Sequence, residues 1–352
     1  MTPAPLTSMQ RVGTTLSHRE PDRVPFFLLF TMHGAKALGL SIREYFASAA
    51  NVVEGQLRLR QRFGHDCLYG FFYAAVEVEA WGTEVLFAAD GPPTAGASII
   101  RHPDDIARLE PPVVEDTPCL RRVVEAVAGM KARIGDEAPI IGVVMSPFSL
   151  PVMQMGFEGY LELLQEHPAH FERLMQVNEA FCVAWANAQL AAGATVICYF
   201  DPLASPSMVP PALYRRTGRA IATRTLARIK GPTATHFASG RCLPILDDVQ
   251  GTGTGAVAVS ALEDLAAIKA ACAGRLTVIG NLNAIEMRRW QTADAAAAVR
   301  TAIAKAARGG GYILSDNHGE IPWQVPDDVL LAVADAVRTY GTYPLSEIPD
   351  GS

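Results

Sequence analysis

The sequence predicts an α/β protein, a (β/α)8 TIM barrel with an N-terminal extension and a small insertion after the second strand. Two observations support this fold class. Short runs of apolar and β-branched residues alternate with longer amphipathic stretches, which is typical of βα units around a parallel sheet. Eight such runs can be counted in the 352 residues, and this length suits a single decorated barrel domain spanning 1–352.

The eight predicted strands are mostly continuous apolar runs, as expected of strands that are covered on both faces. They are residues 23–30, 66–72, 139–145, 195–201, 233–238, 256–260, 276–282 and 312–316. A doubly wound sheet has the same alternation of elements and is the competing fold, but the count of eight favours the barrel. The GTGTG at 251–255 precedes a short strand, whereas a dinucleotide-binding loop would follow one.

Amphipathic stretches between these runs predict the helices. They are residues 42–63, 120–134, 157–193, 211–230, 260–272, 292–307 and 326–340, of which 157–193 is long enough for two helices. The last stretch begins with Pro326 and two aspartates, which suit the first turn and the dipole of a helix. Residues 79–93 predict a strand and a turn inserted after the second barrel strand.

Composition restricts the partners and the compartment. The net charge is −6 and the pI about 5.8, and no cluster of Lys and Arg marks a surface for nucleic acid or for an anionic membrane. The six cysteines are scattered without CxxC pairs, which is typical of a reducing compartment. The N-terminal residues lack the apolar core of a signal peptide. We therefore expect a cytoplasmic protein with a small-molecule substrate.

Polar residues stand where the predicted strands end, and in a barrel the catalytic residues come from those ends. Asp201 ends a hydrophobic run, so burial is expected to raise its pKa and suit it to act as a general acid or a substrate anchor. His236 and His318 follow two different strands and can face one cavity, which suits proton transfer or metal binding. The further candidates for substrate binding are Tyr73, Glu77, Ser146 and Asn281.

A third metal ligand is predicted from spacing. Glu320 follows His318 by two residues, and residues two apart in an extended segment share a face. The predicted ligand set is therefore His236, His318 and Glu320. The predicted catalytic set is Asp201, His236 and His318.

Several blocks of sequence, in their order and spacing, carry a resemblance to a known family. They are PDRVPF, FGHDCLYG, EAWGTEVLFAADGPP, AGATVICYFDPLASPSMVPPALY, THFASGRCLPIL, GRLTVIGNLNAIEM and GGGYILSDNHGEIPWQVPDDVL. The chain resembles the uroporphyrinogen decarboxylase superfamily, in particular its branch of cobalamin-dependent methyltransferases. The resemblance implies a barrel that moves a methyl group between a small substrate and a corrinoid. No cobalamin-binding domain is recognisable, so the corrinoid (cobalamin) is expected on a separate corrinoid protein.

The chain departs from both branches of this superfamily. The decarboxylases have an RQAGRY-like segment and a central Asp, whereas here LLFTMHGAKALG holds no Arg and Tyr73 stands at the Asp position, so uroporphyrinogen is not the expected substrate. The methyltransferases have a zinc site of His-x-Cys and a later Cys. Here His236 matches the His, but the Cys positions hold Ala238 (or Ser239) and His318. Any zinc site would therefore be a harder one of imidazole and carboxylate.

Two activities and one non-enzymatic role remain open at this point. The first is corrinoid-dependent methyl transfer. The alternative is a decarboxylase-like lyase acting on an acid other than uroporphyrinogen, with Asp201 and His318 transferring the proton. The third is a binding protein that kept the barrel and lost the chemistry.

Overall fold

Seven parallel strands form the central sheet of the protein, in a computed structural model that describes residues 5–272 and 274–345. The strands in chain order are β1 (Leu68–Tyr69), β2 (Val85–Leu86), β3 (Thr94–Ala95), β4 (Ile140–Met145), β5 (Val196–Phe200), β6 (Thr233–His236), β7 (Ala256–Ala258), β8 (Thr277–Leu282) and β9 (Tyr312–Asp316). The central sheet has the order β1-β4-β5-β6-β7-β8-β9, and each strand runs parallel to its neighbours. Strand order thus follows chain order, with helical crossovers between most strands.

Helices fill the connections, most of them where the amphipathic pattern predicts them. They are α1 (Ser8–Leu16), α2 (His33–Leu38), α3 (Ile42–Phe46), α4 (Ala49–Phe63), α5 (Val76–Glu79), α6 (Pro118–Ile134), α7 (Pro151–Met155), α8 (Phe157–Glu166), α9 (Pro168–Ala192), α10 (Pro211–Arg216), α11 (Gly218–Leu226), α12 (Leu246–Gln250), α13 (Leu265–Cys272), α14 (Thr292–Ala306) and α15 (Asp327–Tyr340). The stretch 157–193 forms two helices, as predicted. None of the helices in the described ranges is both long and apolar enough to cross a membrane.

The first predicted strand, residues 23–30, is paired on both sides without forming a regular strand. Leu314 of β9 accepts a hydrogen bond from the Phe27 amide at 2.8 Å and donates one to the Pro25 carbonyl at 3.0 Å. On the other side, the Asp66 amide donates to the Phe26 carbonyl at 2.8 Å. Pro25 has no N–H to give to a ladder, which interrupts regular pairing. The segment therefore links β9 to Asp66, two residues before β1.

The predicted insertion after the second barrel strand is present as a small antiparallel pair. Val85 pairs with Ala95 and Leu86 with Thr94, so β2 and β3 form a sheet of their own. This pair lies outside the seven-stranded sheet. The insertion therefore adds to the fold without altering the order of the main strands.

One end of the sheet, where the strands begin, is covered by α1. Its Arg11 forms an ion pair with Asp66 at 2.8 Å, and Arg23 forms another with the same carboxylate at 2.7 Å. Asp66 is fully buried and also accepts hydrogen bonds from the Ser8 hydroxyl and the Phe26 amide. A buried carboxylate needs such partners to remain charged. This cluster fixes α1 against the sheet.

Candidate functional site

A buried carboxylate lies at the end of β5. Asp201 is 1% exposed, and its Oδ1 accepts hydrogen bonds from the hydroxyls of Ser146 and Ser149, both at 2.6 Å. The two serines follow β4, and Ser149 also accepts a hydrogen bond from the Leu203 amide at 3.0 Å. The loops after β4 and β5 are therefore joined through one carboxylate oxygen. Ser146 thus positions Asp201, and its predicted role in substrate binding stays a prediction.

The pKa of Asp201 is raised from 3.8 to about 6 because the carboxyl is buried. The two serine hydroxyls oppose this rise, since they stabilise the charged form. The rise agrees with the expectation from sequence that burial raises the pKa of Asp201. An acid with this pKa changes protonation near neutral pH and is suited to proton transfer.

His236 ends β6 and is 2% exposed. Its Nδ1 accepts a hydrogen bond from the Ala238 amide at 2.9 Å, and its Nε2 has no partner among the described residues. A backbone N–H only donates, so the neutral ring carries its proton on Nε2. Burial, with a smaller contribution from nearby His318, lowers the pKa of His236 to about 3. The site therefore contains a neutral imidazole that offers one N–H.

The loop after β9 lies directly on this imidazole. The ring of Phe200 stacks on that of His236 with centroids 4.6 Å apart. A Cβ at Gly319 would lie 2.6 Å from the Phe200 ring and 3.2 Å from the Nε2 of His236. Gly319 also has a φ of 86°, a conformation that other residues rarely adopt. Glycine is therefore required here, because any side chain would push the loop off His236.

His318 belongs to a chain of hydrogen bonds that joins four strand-end loops. Its Nδ1 lies 3.0 Å from the Ser239 hydroxyl, and the Ser239 carbonyl accepts from Ser260 at 2.8 Å. The Asn281 amide group donates to the Ser260 carbonyl at 2.9 Å. The Asn281 amide thus holds these loops together, and its predicted role in substrate binding stays a prediction. The chain fixes the position of His318.

Two further acids stand beside His318. Asp316, the last residue of β9, is 1% exposed; its Oδ2 accepts from the amides of His318 and Gly319 at 2.9 and 2.7 Å. Its Oδ1 has no partner among the described residues, and burial raises its pKa. Glu320 accepts a hydrogen bond from the Thr31 hydroxyl at 2.9 Å, and burial raises the pKa of Glu320 to about 7.

Sequence reasoning missed Asp316 and Ser149. Asp316 satisfies the strand-end criterion that selected Asp201, and it directly precedes the segment that holds the predicted His318 and Glu320. Ser149 stands three residues after Ser146, in a turn that brings both hydroxyls to one carboxylate. A search for hydroxyl residues spaced as in a helical turn would have found it.

Two predicted substrate-binding residues are engaged elsewhere. The Tyr73 hydroxyl donates to Glu79 at 2.6 Å, and its ring packs against Phe46 and Phe87. The Oε1 of Glu77 accepts from the Met145 amide at 2.8 Å, and burial raises the pKa of Glu77 to about 8. None of these bonds involves Asp201, His236 or His318. The role of both residues in substrate binding stays a prediction.

The predicted metal ligands do not gather in a way that fits zinc. Among the described residues, the group of three whose ligand atoms lie within 4.8 Å of one another is Glu162, Glu166 and His167, at the end of α8 and mostly exposed. His236, His318 and Glu320 do not meet this condition. The free Nε2 of His236 also carries the proton of the neutral ring, whereas a metal needs a lone pair there. The geometry therefore does not support zinc at these residues, and no step of the proposed chemistry passes through it.

The acids of the site have no cationic partners. No ion pair among the described residues joins Asp201, Asp316 or Glu320 to a lysine or an arginine. With pKa values of about 6 and about 7, Asp201 and Glu320 are partly protonated near neutral pH, and burial raises the pKa of Asp316 as well. These acids are therefore not neutralised by ion pairs, which disfavours a ligand with many carboxylates.

Comparison with known proteins identifies relatives of two kinds. The sequence model of the family described as uroporphyrinogen decarboxylase (URO-D) matches residues 7–340. A uroporphyrinogen decarboxylase of Gluconacetobacter diazotrophicus is 28% identical over 278 residues, 74% of this chain and 76% of the relative. The methylcobamide:CoM methyltransferase MtaA of Methanosarcina barkeri is 26% identical over 162 residues, 46% of this chain and 48% of the relative.

A solved structure shares the fold over nearly the whole chain. A methyltransferase from Methanosarcina mazei aligns with a TM-score of 0.81 at 19% identity, covering 95% of this chain and 99% of that one. At this identity the likeness concerns the fold.

Proposed function

This chain belongs to the uroporphyrinogen decarboxylase (URO-D) family, and within that family we propose that it moves a methyl group between a small substrate and a corrinoid carried by a partner protein. The observation that carries the proposal is the lack, among the described residues, of ion-pair partners for the acids of the strand-end site, the group formed by Asp201, His236, Asp316, His318 and Glu320. Asp201, Asp316 and Glu320 face no arginine or lysine partner, and His236 is neutral. A methyl donor or acceptor of low charge suits such a site better than a porphyrinogen with many carboxylates.

The residues of the chain would bind the substrate and supply the proton that methyl transfer requires. When a bond between a methyl carbon and a heteroatom breaks, the electron pair stays on the heteroatom, which then takes up a proton. Glu320, with a pKa of about 7, is the proposed donor of that proton. The Nε2–H of His236 would donate a hydrogen bond to the same heteroatom as its charge develops. The corrinoid, when bound, would supply the cobalt that carries the methyl group.

Asp201 and His318 complete the proposed catalytic set. Asp201 is held by two serine hydroxyls, so one carboxylate oxygen is fixed and the group is oriented without a cation. We assign it the anchoring of a hydroxyl or amine of the substrate. His318, held by Ser239, lies between the loops of β6 and β9 and would relay a proton to or from Glu320.

Exposed apolar side chains on the strand-end face support a protein partner. Met208, Leu243, Leu262 and Ile285 are 46%, 39%, 63% and 38% exposed, and they follow β5, β6, β7 and β8 in turn. Exposed apolar side chains on successive loops at one end of a sheet can mark an interaction site. We propose that the corrinoid protein docks here.

The test is retention of a protein with corrinoid absorbance from a lysate by the immobilised chain. Wild type should retain it, and so should the control Leu331→Asp, which is changed on helix α15. The Leu262→Asp variant should not retain it.

The activity test uses free methylcobalamin and cob(I)alamin, mixed with the protein and with small thiols, amines and methyl ethers. Interconversion of the two cobalamins is followed by absorbance. We expect turnover with at least one substrate and a loss of about 100-fold in Glu320→Gln, the usual contribution of a general acid. Glu166→Gln changes an exposed glutamate and is the matched control. Absence of interconversion with every substrate would contradict the proposal.

The second candidate is a lyase that decarboxylates an acid other than uroporphyrinogen. The protonatable acids beside His318 favour it, because the carbon that loses CO2 must take up a proton. Release of labelled CO2 from a small carboxylic acid, without any change in cobalamin absorbance, would select this activity over methyl transfer.

We further propose that residues 23–30 act as the eighth strand of a closed barrel and that the chain is one domain. The hydrogen bonds of Phe26 and Phe27 to both edges of the sheet support this. Slow amide exchange at Phe27 and Asp66, comparable to that within β4, is the expected result. Rapid exchange at both amides would contradict closure of the barrel by residues 23–30.

A further inference from the structure

We infer that the interior of the curled sheet is a binding site for a small, uncharged, apolar molecule, distinct from the strand-end site and opening beside α1. The inference does not depend on methyl transfer. A cavity of about 380 Å³ lies inside the sheet and is lined by side chains from β1 and β4–β9. Protein interiors rarely keep voids larger than a water molecule, and an apolar void of about 150 Å³ already binds benzene.

Small side chains on two adjacent strands create this void. Barrel interiors are ordinarily filled by layers of bulky branched residues. Here β6 contributes Ala234, and β7 contributes Ala256 and Ala258, to the lining. The opposite wall holds bulky side chains, among them Phe27 and Leu29. The space therefore lies on the β6–β7 side, where three alanines replace the side chains that would fill it.

The cavity reaches the surface at the end of the sheet where the strands begin. Its lining includes Gly13 and Leu16 of α1, and Leu16 is 43% exposed. Pro232 and Gly255, just before β6 and β7, also line it and are exposed. This entrance is at the opposite end of the strands from the strand-end site. A ligand can enter here without passing the strand-end loops.

The lining indicates the chemistry of the ligand. It contains no lysine, arginine, aspartate or glutamate among the described residues, and most of its side chains are hydrocarbon. A charged ligand would lose its hydration there without compensation. His236 lines the inner end of the cavity and is the residue shared with the strand-end site. Its Nε2 has no partner among the described residues. A bound molecule therefore lies against a wall of the strand-end site.

The test measures binding of benzene to the full chain by ligand-observed NMR, with benzoate as the charged probe. Wild type should bind benzene, and benzoate should bind at least about tenfold more weakly. Ala258→Leu fills part of the cavity on the β6–β7 side and should weaken benzene binding at least about tenfold. Ala297→Leu makes the same change on the exposed face of α14 and should bind benzene as wild type does.

A second variant and a second measurement keep the test decisive if Ala258→Leu does not fold. Ala234→Val adds only two carbons to the lining and should weaken benzene binding in the same direction. In ¹⁵N-labelled protein, benzene should shift the ring nitrogens of His236. Failure of wild type to bind benzene, equal binding by the filled variants, or equal affinity for benzoate would each overturn the inference.

Discussion

Replacing the buried acid at the end of β5 tests the central electrostatic feature of the site. Asp201→Asn keeps an oxygen that accepts the hydrogen bonds of Ser146 and Ser149 and removes the ionisable proton. The variant should fold. What should change is the dependence of stability on pH.

The magnitude follows from the pKa of Asp201, which burial raises from 3.8 to about 6. Between these values the folded chain binds more protons at this group than the unfolded chain, so stability falls as pH rises. The stabilisation is fully present below pH 3.8 and lost as pH rises through about 6. A shift of about 2 units at about 1.4 kcal/mol per unit corresponds to about 3 kcal/mol. The Asp201→Asn variant cannot show this loss, because an amide does not titrate in this range.

The assay is urea unfolding of wild type and Asp201→Asn, followed by tryptophan fluorescence from about pH 4.5 to about pH 7.5. Relative to wild type, the variant should gain about 2 kcal/mol of unfolding free energy across this range, the part of the total that falls within it. Glu166→Gln, an exposed change, should show no comparable trend. Parallel pH profiles for wild type and Asp201→Asn would refute the assignment of a raised pKa to this carboxyl.

Four further outcomes are expected. Asp201→Asn should lose most turnover per folded molecule; unchanged turnover with a loss of more than about 3 kcal/mol in stability would make the residue structural. Asp66→Asn should lower the unfolding free energy by about 3 kcal/mol or more in urea titration, because Arg11 keeps a buried charge without its full partner; a loss below about 1 kcal/mol would contradict this. Protein purified without chelator should lack stoichiometric zinc by elemental analysis, whereas stoichiometric zinc that disappears in His236→Ala would show that the imidazole does bind metal. Uroporphyrinogen should not be converted at an enzymatic rate, and formation of coproporphyrinogen would show the opposite.

The seven strands of the sheet are visible in the sequence because each is a local pattern. Residues 139–145 are a continuous apolar run and 312–316 begin with one, and the observed strands Ile140–Met145 and Tyr312–Asp316 agree with these predictions almost to the residue. The run 23–30 has the same composition, but its pairing is interrupted at Pro25. The stretch 42–63 has a helical period throughout, yet it divides into α3 and α4 around Ser48.

The positions of Asp201, His236 and His318 at strand ends were likewise determined by the sequence alone, since each stands at the end of a predicted strand or just after one. Their partners were decided only by the tertiary structure. The hydroxyl of Thr31 reaches Glu320 across 289 residues of sequence, and Ser149 reaches Asp201 across 52. Such contacts depend on how loops from distant segments converge, which no local pattern encodes. The proton on His236 Nε2 and the void beside Ala258 have the same origin, because both depend on what neighbouring strands and loops place around a side chain.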